Sequence, residues 1–104
     1  MALKIQDDVL RLVRDMRTTL VAIAQHDADL ARQTRRALTS IPLNIAEGEW
    51  RRNGNARTRF ETAMGSANEV HTCLRTADAL GYIEADAKQL DALDRIARTL
   101  NKLL

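Results

Sequence analysis

The sequence predicts an all-α fold: an antiparallel up-down-up-down four-helix bundle whose second helix is kinked at Pro42. Three observations carry that prediction. Apolar residues recur at spacings of three and four along most of the chain, the period of a buried helical face. Helix breakers are scarce, with one proline and four glycines in 104 residues. Trp50, Phe60 and Tyr82 are the only aromatics, so the core must be built of Leu, Ile, Val, Met and Ala, which favours helix over sheet. A chain of this length reads as one domain, residues 1–104, with a modest core.

The first stripe is Ile5, Val9, Leu12, Met16, Leu20 and Ile23, flanked by Val13 and Ala24. It predicts one helix ending near Gln25. Asp27 is a suitable N-cap for a second helix from about Ala28, and so tight a connection makes the two antiparallel neighbours. The second stripe is Leu30, Thr34, Ala37, Leu38, Ile41, Ile45 and Gly48. It crosses Pro42 without losing phase. A continuous helix would lose the Pro42 N–H, crowd the Leu38 carbonyl and bend there. The other reading restarts the helix at Pro42 with Ser40 as its cap.

Asn53-Gly54 marks a turn within the loop Arg51–Asn55. The third helix carries Phe60, Ala63, Met64, Ala67, Val70, Leu74 and Ala77. It should end at Leu80-Gly81, with glycine in the left-handed C-cap position. Gly65-Ser66-Ala67 reads as small residues that let helices approach closely. Asp86 to Gln89 has capping-box spacing and should open a fourth helix. Its stripe is Leu90, Leu93, Ala97, Leu100 and Leu104, flanked by Ile96 and Leu103.

The second helix is apolar on two sides. Leu43 points about 200° from Ile41 and Ile45 at 100° per residue. It aligns with Thr39, Ala46 and Trp50 in a second stripe, and such a stripe ending in Trp predicts a self-association surface.

The formal charge is +2, but residues 32–59 hold seven arginines (Arg32, Arg35, Arg36, Arg51, Arg52, Arg57 and Arg59) against Glu47 and Glu49. Arginine's planar fork suits phosphate, so these seven are the candidate nucleic-acid contacts. The other reading is a solvated face with intersubunit salt bridges. The two groups should lie near opposite ends of the second helix, roughly 25–30 Å apart by helical rise. The early acids and arginines oppose a signal peptide, and no apolar run could span a membrane, so a cytoplasmic protein is expected.

Nothing points to catalysis, a cofactor or a metal. Glu47 and Glu49 are two apart and face different directions. Neither His26 nor His71 follows a Glu by three, the pattern of di-metal bundles. Cys73 reads as a small buried thiol. Ser40, Asn44 and Glu47 on the second helix and Ser66 and Glu69 on the third could form a polar network. That network is either a site or a register-fixing, satisfied interface.

Three stretches, SIPLNIAEG at 40–48, MGSANEV at 64–70 and LGYI at 80–83, resemble the recurring motifs of a bacterial four-helix-bundle family. It includes proteins encoded within intervening sequences of large-subunit ribosomal RNA genes. It also includes accessory variability determinants of diversity-generating retroelements. The resemblance covers roughly residues 30–104. It implies a ring, typically a homopentamer, and no enzymatic activity. For retroelement members it implies binding of reverse transcriptase and of RNA or DNA through a basic surface.

Overall fold

A computed structural model describes residues 4–50 and 55–104. Among these residues every regular element is an α-helix, joined by short turns, and there is no strand. The helices are α1 (Lys4–Asp15), α2 (Arg17–Ala24), α3 (Ala28–Trp50), α4 (Asn55–Ala79) and α5 (Ala87–Lys102). The molecule measures 43 × 23 × 19 Å. At 1.5 Å per residue, α4 is about 37 Å long and nearly spans the long dimension.

The first predicted helix is two helices that meet at Met16. The backbone ladder still crosses the junction, from Met16 N–H to the Leu12 carbonyl and from Leu20 N–H to the Met16 carbonyl, both 2.9 Å. The two carbonyls before Met16 accept side-chain donors: Arg14 from Arg17 Nε at 3.3 Å, and Asp15 from Gln89 Nε2 at 3.4 Å. Side chains inserted into the ladder are a known cause of a local break. Gln89 is buried and also exchanges hydrogen bonds with Thr19. It is therefore turned away from the reciprocal role that the capping-box spacing predicted. The cap itself forms, with Asp86 Oδ1 accepting from Lys88 N–H at 2.8 Å.

Helix α3 starts where expected, its Leu30 N–H bonded to Asp27 Oδ1 at 2.9 Å. It runs unbroken through Pro42, so the restart at Pro42 does not occur. Gln6 Nε2 of α1 donates to the Pro42 carbonyl at 2.8 Å, which fastens α1 to α3 at the proline. Helix α4 ends in a Schellman motif: Tyr82 N–H to the Ala77 carbonyl and Gly81 N–H to the Asp78 carbonyl, both 2.9 Å. Gly81 has φ +79°, a conformation that costs an L-residue with a side chain.

The core runs through all five helices, with Val9, Met16, Ile23, Leu38, Ile41, Ile45, Val70, Leu74, Leu93 and Leu100 fully buried. Helix α3 packs most extensively on α4; α5 packs on α4 and α1; α1 and α2 both pack on α3. The α2–α3 turn meets the α4–α5 turn, where the His26 and Tyr82 rings stack at 5.2 Å. His71 Nε2 lies 3.5 Å from Asp94 Oδ1, across the α4–α5 contact.

Close approach of α3 and α4 depends on Gly48, not Gly65. A Cβ built at Gly48 would lie 2.5 Å from Phe60 Cε1. At Gly65 nothing lies within 4 Å, which corrects the reading of that glycine as a close-contact residue; Ser66 and Ala67 are the buried members of that trio. Gly65→Ala should therefore stabilise the helix by about 1 kcal/mol through propensity alone. A raised midpoint in thermal unfolding checks it.

Candidate functional site

Along the α3–α4 contact, on either side of Pro42 and one turn after the first Arg cluster, polar side chains meet. Ser66 Oγ donates to Ser40 Oγ at 2.8 Å. Asn44 Nδ2 donates to the Ser40 carbonyl at 2.9 Å and to Ser40 Oγ at 3.0 Å. Arg59 Nη1 donates to Asn44 Oδ1 at 3.4 Å. The structure thus joins Ser40, Asn44 and Ser66 and adds Arg59. Glu69 stands outside these bonds and accepts from Gln33 Nε2 at 3.5 Å, while Glu47 is exposed on α3. The bonds satisfy backbone and side chains around the proline. They also tie α3 to α4 in one register.

Above this seam lies a groove of about 520 Å³, lined by Arg32, Gln33, Arg36, Ser40, Ser66 and Glu69 among others. Arg32 is already held by Asp29 at 2.6 Å on the exposed surface. Arg36 has no ion pair to a described residue. Arg57 lies 3.8 Å from Glu61, a long and exposed pair. Arg35 is exposed on the other flank of α3. Arg51 and Arg52 lie outside the described residues. Because Arg59 reaches back to Asn44, it comes within eight residues of Arg36 along α3, about 12 Å by helical rise. That is nearer than the two-ended arrangement the sequence predicted. No spacing rule marks Arg59 for Asn44, since the pairing depends on how α4 is set against α3.

The outward stripe of α3 is open to solvent. Leu43 is 66% and Trp50 84% exposed, Thr39 is exposed and Ala46 is half-buried. Leu10 of α1 and Val21 of α2 are exposed as well, at 42% and 60%, and the spacing along those helices did not mark them.

Cys73 is buried, and burial raises its thiol pKa, with a hydrogen bond to Thr34 acting the other way and the Glu69 charge adding a little. A raised pKa keeps the thiol protonated in the folded chain, so it adds no pH dependence to stability below about pH 9 and costs stability above it. Iodoacetamide at pH 8 should modify folded Cys73 at least about tenfold more slowly than the urea-unfolded chain. Mass spectrometry of the two samples checks it. Among the described residues no group of His, Cys, Asp and Glu is placed to hold a metal ion. Among them, too, no helix is long and apolar enough to cross a membrane.

No curated protein matches the chain. The family model for the 23S rRNA-intervening sequence protein matches residues 2–104, which extends the resemblance to the first helices. The SIPLNIAEG motif and its neighbours are thus the polar seam, the proline tie and the Gly48–Phe60 contact of one fold. By that match over nearly its whole length, the chain belongs to the 23S rRNA-intervening sequence protein family.

Proposed function

We propose that the protein is a non-enzymatic scaffold that assembles into a ring, a homopentamer by resemblance, and presents arginines to RNA or DNA or to a reverse transcriptase. The observation that carries the assembly is the open apolar face of Leu43 and Trp50, too large a pair of side chains to leave in water without a purpose. In this reading α1 and α2 act as one strut, and the five helices form an antiparallel four-helix bundle bent at Pro42. The pairwise packing of α1 and α2 on α3, α3 on α4, α4 on α5 and α5 on α1 supports that closure. The expected home of such a scaffold is the cytoplasm.

A ring repeats Arg36, Arg35 and the Arg57 and Arg59 region around its axis, so weak phosphate contacts add by avidity. Binding would follow charge and shape rather than sequence. A second reading, a protein-interaction module with no nucleic-acid role, is favoured by the engagement of Arg32 with Asp29 and of Arg59 with Asn44. Fluorescence anisotropy of labelled structured RNA and duplex DNA across a salt series separates the two. The scaffold reading expects a steep fall of affinity with salt. Flat traces at low salt, with the oligomer intact, would leave only the second reading.

A further inference from the structure

Two adjoining shallow grooves, about 340 and 350 Å³, share Arg17 and Val21; the first runs between α2 and the start of α3, and the second is bordered by Arg14 and Thr18. Their floor is apolar, formed by Leu20, Val21, Ala24 and Ala31, and their rim carries Arg14, Arg17 and Arg35. No described carboxylate lies within ion-pair distance of these three arginines. Three guanidiniums around an exposed valine, without a counter-charge, call for an apolar side chain set among carboxylates. The chain itself has one such element. Residues 76–87, the end of α4 and the following turn, contain Asp78, Glu84 and Asp86 and no basic residue. At their centre Leu80 is 55% exposed.

We infer that the α2–α3 groove around Val21 receives the acidic α4–α5 turn, led by Leu80 and Glu84, of a second copy of this chain. The inference rests on the self-association proposed above and names the surface that opposes it. Within one protomer, Glu84 and Asp86 lie over Thr18 and Thr19, and Thr18 also borders the groove, yet neither carboxylate forms an ion pair with its arginines. The three guanidiniums are therefore open to the carboxylates of another molecule. Groove and turn are different surfaces, so the contact is heterologous and repeats from copy to copy, as a closed ring requires. Charge complementarity sets the register, and burial of Val21 and Leu80 supplies the attraction.

Two full-length variants test the contact, both in a Cys73→Ala background: Val21→Cys and Leu80→Cys. Mixed and oxidised with copper–phenanthroline, they should give a Val21→Cys to Leu80→Cys disulfide dimer in preference to either self-pair. Separately, Arg14→Glu/Arg17→Glu should weaken self-association in sedimentation velocity by at least about tenfold, and adding Glu84→Arg should restore most of it. Circular dichroism of each variant shows whether the helices persist. An oligomer that survives the arginine reversals, or that cross-links only through like positions, would overturn this contact and leave self-association standing. A wild-type monomer at tens of micromolar would overturn both.

Discussion

If the proposed ring forms through the outward face of α3, Leu43→Glu combined with Trp50→Glu should turn it into a monomer with unchanged helix content. Both side chains are open to solvent in the single chain, so the protomer loses little packing when they change. In the assembly each would place a carboxylate where an apolar contact stood. Hot-spot positions of this kind typically cost 2 kcal/mol or more each, so the pair should weaken association by about 4 kcal/mol, roughly a thousandfold. Sedimentation velocity reads the loss of mass, and far-ultraviolet circular dichroism reads the helices. Since Trp50 is the only tryptophan, a Leu43→Glu single variant adds a second signal: emission from Trp50 should move to the red as its environment becomes wet.

The second large effect is inside the protomer. Gly48→Ala should destabilise the fold by about 1–3 kcal/mol. The added Cβ meets the Phe60 ring at 2.5, 2.8 and 3.0 Å, and either the ring or the α3–α4 spacing must yield. Alanine is otherwise the better helix former by about 1 kcal/mol, so a net loss would isolate the clash. The companion Gly48→Ala/Phe60→Leu should recover part of the loss, because a smaller side chain vacates the space. Urea unfolding of the three variants gives the comparison, and a Gly48→Ala protein as stable as the parent would refute the contact. Gly65→Ala, with open space around it, is the control expected to move the other way.

These two glycines show what the sequence could and could not convey. Periodicity located the buried faces of α1 to α5 well, because burial follows directly from spacing along one helix. Asp27, Gly81 and Asp86 were legible as end signals because capping is local chemistry. Contacts that depend on how one helix is set against another were not legible. Gln6 on the Pro42 carbonyl, Arg59 on Asn44, and Gln89 on the Asp15 carbonyl each join residues 15 to 74 positions apart. The break at Met16 coincides with that last contact and with Arg17 on the Arg14 carbonyl, so periodicity alone gave one helix where two exist. Ser40, Asn44 and Ser66 could be nominated from their shared side of the contact, yet the same reasoning also nominated Glu69, which pairs with Gln33. The exposed apolar residues were half visible: Leu43 and Trp50 stood out on one helix, while the exposure of Leu10 and Val21 emerged only in the folded chain.

The central claim is that the outward face of α3 is an interface and the protein a ring. Sedimentation equilibrium of the wild-type protein at micromolar concentration tests it most directly. The account predicts one species of about five times the 11.7 kDa chain mass. A single species at 11.7 kDa across the whole concentration range would contradict it.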